Sequence, residues 1–310
     1  MQSVSTATST AIVARRAGGR LWMVMLAATL WGTVGVTTQA LYRQTATNPL
    51  SVGFFRLALA TPALALACWA MLGRKSWRIA RGDLVRMALI GCMLALYQAC
   101  FFAAIARIGV AVSTLVTLCL APVLVALIAR VILGEKLTRA TGLALVLALA
   151  GIACVVGFGP GGGAHVTDLA GVLLACASAL GYAIIALAGR SVAPRYPAIQ
   201  INTVGFASGA LLLLPLALGT GFVASYPARG WLELAYLGIV PTALAYGLFL
   251  TGMRATPATV ASIATLLEPL TATLLAWMLF GERLGPLGLV GAALLLGAMA
   301  LLALRGAAAT

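Results

Sequence analysis

One carboxylate lies deep in an apolar stretch, where an ionised side chain is costly. Glu268 is near the centre of the apolar run 257–280 and is the only acidic residue of the sequence at such a depth. Insertion scales put an acidic residue at the centre of a membrane-spanning helix at about 2.5–3.5 kcal/mol. Three interpretations stay open: Glu268 binds a cationic group, takes up a coupling proton, or pairs with Arg56 or a backbone donor as a structural lock.

Two further polar side chains lie inside apolar runs. Arg56 is about two helical turns into the run 50–72. Three roles stay open for its long side chain: it reaches the membrane interface, it pairs with Glu268, or it attracts a carboxylate. Gln98, in the run 84–106, needs a hydrogen-bond partner or cavity water at that depth.

Several aromatic residues lie away from the ends of their apolar runs, whereas aromatic anchors of membrane proteins usually lie at those ends. With Gln98 they form a candidate amphipathic cage for a small zwitterion or an aromatic ring. Ordinary packing is the alternative for each of them. The residues are Trp31, Tyr97, Phe101, Tyr182 and Tyr246.

Hydroxyl side chains accompany these groups. Helical spacing places Thr114, Thr117 and Ala121 on one face of a helix, and Thr265 lies about one turn before Glu268. Small polar residues of this kind line a cavity or allow close helix packing.

Two prolines interrupt apolar runs near their centres. A helical proline removes one backbone donor and clashes with the carbonyl four residues earlier. Pro122 and Pro269 should therefore free or weaken the carbonyls of Leu118 and Thr265. Spare carbonyls at the bilayer midplane would suit an ammonium group, although the kinks alternatively serve packing alone.

The elements that carry these residues are membrane spans. The chain has 310 residues, 63% hydrophobic and 8% charged, whereas a soluble domain has about 25% charged residues. These values predict an all-α integral membrane protein. Ten apolar runs are long enough to cross a bilayer; they cover roughly 20–42, 50–72, 84–106, 109–133, 139–158, 168–189, 198–219, 231–253, 257–280 and 286–304.

Other chemistry finds little support. The six cysteines lie inside apolar runs without metal-ligand spacing, so neither a metal nor a cofactor is expected. The glycine-rich stretch 159–167 lacks the lysine of a phosphate-binding loop, and its His165 is interpreted as a solvated loop residue. The net charge of +14 comes mainly from residues between apolar runs, which favours membrane orientation over nucleic-acid binding.

These basic residues also predict the orientation. With the N-terminus inside, fifteen Lys and Arg lie in inner segments, and only Arg43, Arg107, Arg229 and Arg283 lie in outer ones. By the positive-inside rule both termini are then cytoplasmic. The first run could also be a signal peptide, but we interpret it as a span because the repeat described next requires it.

The sequence repeats itself at a constant spacing. Gly91, Arg107 and Pro122 align with Gly238, Arg254 and Pro269, the turn Gly134-Glu135-Lys136-Leu137 aligns with Gly281-Glu282-Arg283-Leu284, and Ala121 aligns with Glu268. A repeat of five spans, an odd number, inverts the second copy in the membrane. The predicted organisation is a disordered N-terminus (1–19), a first repeat (20–158), a linker (159–167) and a second repeat (168–305).

The paired motifs carry a family resemblance. The stretch from Leu266 to Trp277, followed by Phe280-Gly281-Glu282-Arg283-Leu284, resembles the signature of the drug/metabolite transporter superfamily in its ten-span EamA-type branch. Pro122 and the turn after Gly134 resemble the same motif in the first half. The resemblance implies alternating access in a bacterial inner membrane. Characterised members mostly export amino acids, aromatic ones among them, or related metabolites.

Two rival hypotheses remain at this point. An intramembrane lipid- or peptide-processing enzyme would need a catalytic motif, and the sequence contains neither H-E-x-x-H nor G-x-S-x-G. A passive channel would have no need of two opposed equivalent halves. A small-molecule transporter with protons as one candidate coupling ion is therefore the favoured prediction.

Overall fold

A computed structural model describes residues 2–134, 139–156, 168–254 and 256–308, and these residues form helices without strands. Helices suit a membrane interior because they satisfy their own backbone hydrogen bonds. The helices are α1 (Gln2–Gln44), α2 (Pro49–Leu72), α3 (Arg81–Leu133), α4 (Arg139–Val156), α5 (Leu169–Gly189), α6 (Ala198–Thr220), α7 (Ala228–Gly238), α8 (Ala245–Met253), α9 (Ala258–Ala264), α10 (Leu267–Phe280) and α11 (Pro286–Ala308).

The predicted all-helical membrane fold is confirmed. In the described ranges nine helices are long and apolar enough to cross a membrane, and one of them, α3, contains two spans, which gives ten. The chain reverses at Gly109 (φ +79°), so α3 consists of a first arm (81–108) and a second arm (110–133). A π-helical segment (Ile239–Leu244) joins α7 to α8 as one span, and α9 and α10 together form another.

Two predicted segments cannot be compared with the structure. The linker 159–167, with His165, lies outside the described residues. Helix α1 begins at Gln2, where the sequence predicts disorder, but the side chains before Arg20 are also outside the described part. Disorder of residues 1–19 therefore stays a prediction.

The helices of the two halves pack in equivalent ways. Gly91 on the first arm of α3 lies against α6, and its repeat equivalent Gly238 at the end of α7 lies against α2. Likewise α1 packs on α8 and α10, whereas α5 packs on both arms of α3. Each of these contacts of a first-half helix with the second half thus has an equivalent in which the two halves change places. A pseudo-two-fold axis between the halves predicts this pattern. The close contact of Gly205-x-x-x-Gly209 with Gly91 also follows the small-residue rule for membrane helices.

Polar contacts tie the spans together at both ends of the bundle. We call one the Glu282 end; it contains the pairs Gln44–Glu233, Asn48–Gly221 and Arg107–Asp168. The opposite Asp83 end contains Asp83–Arg195, Asp83–Tyr196 and Ser76–Gln200. At the Glu282 end, the hydrogen bond from Arg107 lowers the pKa of the Asp168 carboxyl.

Glu282 caps the second arm of α3. Its carboxylate accepts hydrogen bonds from the backbone N–H groups of Val110 (3.0 Å) and Ala111 (2.9 Å). These N–H groups have no partner within their own helix, and the helix dipole favours an anion there. Gly109 allows the approach, since a Cβ at this position would lie 2.9 Å from the Glu282 carboxylate. These hydrogen bonds connect the second repeat to the first at the Glu282 end.

We predict that Gly91→Ala destabilises the bundle. A methyl group at this position would lie 2.1 Å from both the Gly205 carbonyl oxygen and the Ser208 hydroxyl, so α3 and α6 must separate. Overpacking of this kind costs about 1–3 kcal/mol. The measurement is unfolding of the purified protein in detergent.

Gly297→Ala is the matched control, because no atom of the described residues outside its own helix backbone lies within 4 Å of a Cβ at that position. Equal unfolding transitions for the two variants would contradict the close α3–α6 contact.

Candidate functional site

A cavity of about 750 Å³ lies between the two halves of the bundle. Helices of both repeats line it, and many of its side chains come from the central turns of their spans. Its walls combine aromatic rings, hydroxyl groups and three charged side chains. Its lining includes Trp31, Gly32, Gly35, Arg56, Tyr97, Gln98, Phe101, Thr114, Leu118, Pro122, Ala126, Ala129, Thr141, Tyr182, Arg190, Phe206, Tyr246, Phe249, Ser262, Thr265 and Glu268.

The cavity extends toward one end of the bundle only. Thr141, Ala129 and Arg190 line it at the Asp83 end, and the Arg190 side chain is exposed there. Toward the Glu282 end the space is filled by a packed cluster that includes Leu41 and Phe102, both fully buried. The cavity is therefore reached from the Asp83 end and closed at the other.

Glu268 lies at the mid-bundle end of this cavity, just after a helix break. Helix α9 ends at Ala264 and α10 begins at Leu267, which places Glu268 in the first turn of α10. A carboxylate is favoured in the first turn by the helix dipole. No side chain of the described residues hydrogen-bonds this carboxylate or forms an ion pair with it, and it faces the cavity.

The sequence predicts that the carbonyl of Thr265 is free or weakened, but at the helix break this carbonyl accepts a hydrogen bond. The Thr265 carbonyl accepts the backbone N–H of Glu268 at 3.0 Å, so it is not free. The Thr265 hydroxyl donates to the Ser262 carbonyl at 2.8 Å. At the equivalent proline, Pro122, α3 continues without a break, and Leu118, whose carbonyl has lost its helical donor, lines the cavity.

Arg56 is buried, with 8% of its surface exposed. Its Nε donates to the Thr242 hydroxyl at 2.9 Å and its Nη1 donates to Gln98 Oε1 at 3.4 Å. The guanidinium also lies 5.8 Å from the Phe102 ring centroid. Arg56 and Glu268 line the same cavity without forming an ion pair, so each keeps capacity to bind a ligand.

Aromatic rings form two walls of the cavity. Trp31 contacts Tyr246 and Phe249 with ring centroids 5.2 Å and 5.0 Å apart. On the other wall, Tyr97 lies parallel to Phe101 at 6.4 Å and edge-on to Tyr182 at 5.6 Å. Tyr182 is 43% exposed, although it lies inside a span, because it faces the cavity. The predicted aromatic residues thus converge on one space.

Two buried polar atoms at the cavity lack partners among the described residues. They are Trp31 Nε1 and Thr114 Oγ1. A buried donor without a partner costs free energy comparable to a lost hydrogen bond. A bound ligand or water can supply that partner.

Not every predicted site residue lies at the cavity. The Thr117 hydroxyl donates to the Ala175 carbonyl at 3.2 Å and joins α3 to α5. Pro269 is buried and does not line the space. The other predicted binding residues do line it, as does Arg56. Their part in ligand binding stays a prediction.

Sequence reasoning missed several residues of the site. Gly32 follows Trp31 directly and Gly35 lies about one turn after it; they allow α1 to approach Glu268 and Thr114. Phe249 lies about one turn from Tyr246, a spacing that could have suggested it. For the contact of Thr242 with Arg56, the sequence offers one indication, which is the pair Pro241-Thr242 inside the apolar run 231–253.

Comparison with known proteins matches the chain to one family. The EamA-like transporter family matches residues 19–157 and 169–304, once in each predicted repeat. The uncharacterised transporter YwfM of Bacillus subtilis is 35% identical over 88% of this chain and 90% of its own. A probable terminal-alkyne amino-acid exporter of Streptantibioticus cattleyicolor is 32% identical over 77% of this chain and 78% of its own.

A solved crystal structure shows the same fold. It superposes with a TM-score of 0.64 over 94% of this chain and 98% of its own, at 24% identity. At that identity the likeness supports the architecture alone.

We predict one-sided access to the cavity. In a variant without the six native cysteines, Ala126→Cys should react with a membrane-impermeant maleimide from one face of a vesicle only, because Ala126 lines the open part. The exposed positions Arg74 and Arg229, also changed to Cys, mark the Asp83 and Glu282 ends.

Labelling of Ala126→Cys from the Arg74 side is the expected result. Fully buried Ala276, changed to Cys, is the negative control. Labelling of Ala126→Cys from the Arg229 side would contradict the described closure.

Proposed function

Because the chain belongs to the EamA-like transporter family, we propose that it exports amino acids or related small zwitterionic metabolites by alternating access. The family and the curated relatives are transporters and not enzymes. The substrate and the mechanism are the parts that go beyond the family.

One observation carries the proposal: a basic side chain, Arg56, and an acidic one, Glu268, face the same mid-bundle cavity without forming an ion pair. Charged side chains within a membrane face a cavity and mark substrate or ion pathways. A zwitterion brings one charge for Glu268 and one for Arg56. The aromatic walls around Trp31 and Tyr97 supply contact area for an apolar or aromatic side chain.

Two features support alternating access: the equivalence of the two halves and the closure of the cavity at one end. The cavity lies where the equivalent halves meet, and its two ends differ, being lined by Arg190 at one end and closed by the Leu41–Phe102 cluster at the other. Exchange of the two conformations between equivalent halves would open the Glu282 end and close the Asp83 end.

We propose that the protein lies in a bacterial inner membrane with both termini cytoplasmic. Basic residues outnumber acidic ones at the Asp83 end, where Arg74, Lys75, Arg78 and Arg81 lie together. The described state then opens to the cytoplasm, where an exporter loads its substrate. The amino-acid exporter among the relatives is consistent with this substrate class.

Counterflow in proteoliposomes tests the function. We expect vesicles preloaded with an unlabelled amino acid to accumulate the same labelled amino acid transiently and with saturation. A panel of the common L-amino acids identifies the substrate. Conductance without saturation would instead support a channel, and the absence of counterflow with every amino acid and with related small zwitterions would refute the proposal.

Glu268→Gln should weaken substrate binding by about tenfold or more, because a charge-assisted hydrogen bond to an ammonium group contributes about 1.5–3 kcal/mol. Counterflow at graded substrate concentrations measures the change in KM. Unchanged KM with a lost response to a pH gradient would instead assign the carboxylate to proton coupling. Glu233→Gln, at the Glu282 end, is the matched control.

A further inference from the structure

We propose that Thr242 is a positioning residue that aims Arg56 into the cavity, where Arg56 binds the carboxylate of the transported molecule. This inference rests on the proposed function and deepens it by naming the recognised group. The observations behind it are a π-helical segment packed against a buried guanidinium, and a cavity lined by Arg56 and Glu268 without an ion pair between them.

The neighbouring backbone determines which hydrogen bond the Thr242 hydroxyl donates and which one it accepts. Pro241 has no N–H, so the Leu237 carbonyl lacks its ordinary helical donor. The Thr242 hydroxyl donates to that carbonyl at 2.7 Å. Its only hydrogen is then used, and its oxygen is left to accept the Arg56 Nε–H at 2.9 Å.

The segment that carries Thr242 is held against Arg56. Residues Ile239–Leu244 are π-helical, and such bulges occur frequently at functional sites. One turn earlier, a Cβ on Gly238 would lie 3.2 Å from the Arg56 carbonyl oxygen, so the two backbones are in close contact. Thr242 is fully buried, so packing holds its hydroxyl in place beside the Arg56 Nε.

Arg56 retains donors for a ligand. A guanidinium has five N–H groups in a planar fork. Within the described residues two of them are used, by Thr242 and Gln98. The planar fork matches the two oxygens of a carboxylate. Because Glu268 faces the same space, a zwitterion is favoured over a doubly charged anion such as phosphate.

The first half has no hydroxyl at the equivalent position, where the preceding Leu94 keeps the backbone donor that Pro241 lacks. The equivalent of Thr242 in the first half is Ala95, which is also fully buried. Alanine therefore fills the same place in the equivalent fold. A hydroxyl found in one half only, beside the buried arginine, points to a role in that arginine's orientation.

The test compares amino acids with their α-amides, which keep the ammonium group and carry a neutral carboxamide in place of the carboxylate. Binding of the common L-amino acids to the purified protein is measured by calorimetry, and each one that binds is compared with its amide. Wild type should prefer the acid by about tenfold or more. Thr242→Ala should lose most of that preference, and Thr242→Ser should retain it.

Thr251→Ala is the matched control, since its hydroxyl donates only to the Gly247 carbonyl of the same span. Equal affinity of wild type for acid and amide, or equal weakening of both by Thr242→Ala, would overturn the inference while the proposed function stands. Tighter binding of inorganic phosphate than of any amino acid would also overturn it. Failure of wild type to bind or exchange any amino acid or related small zwitterion would refute the proposed function itself.

Discussion

The cost of placing charge inside an apolar bundle governs the centre of this protein. Arg56 is buried and Glu268 lies mid-span, yet the two do not form an ion pair. An isolated charge in a low-dielectric interior needs polar partners or access to water. The local irregularities meet this need: the π-helical segment brings Thr242 to Arg56, and the break before Leu267 places Glu268 in a helix's first turn beside the cavity.

Two equivalent halves hold these groups at their junction. Small residues such as Gly91 and Gly238 let the halves interlock, and Glu282 of the second half caps a helix of the first. The halves are nevertheless unequal in polarity, because Ala121 and Ala95 occupy the positions equivalent to Glu268 and Thr242. The duplication therefore supplies the framework, and substitutions in one copy supply the polar centre.

Much of this arrangement can be predicted from the sequence. Lipid forces spans to be helical, so lengths of apolar runs predict the spans, and the unfavourable depth of Glu268 and Arg56 points to the cavity that both residues line. Contacts between distant segments cannot be predicted in this way: Thr114 and Thr117 share a helix face, yet only Thr114 lines the cavity. Equivalent prolines also differ, since only the span containing Pro269 has a break near its proline. Neighbouring helices decide both outcomes.

Spin-label distances at both ends of the bundle test the central claim most directly. Label pairs at Arg130 and Arg254 report the Asp83 end, and pairs at Ala106 and Arg283 report the Glu282 end; all four positions are exposed. Double electron–electron resonance is recorded in lipid nanodiscs with and without a transported amino acid. The account predicts opposite changes, with one end closing as the other opens. Simultaneous opening of both ends, or no change at either, would contradict it.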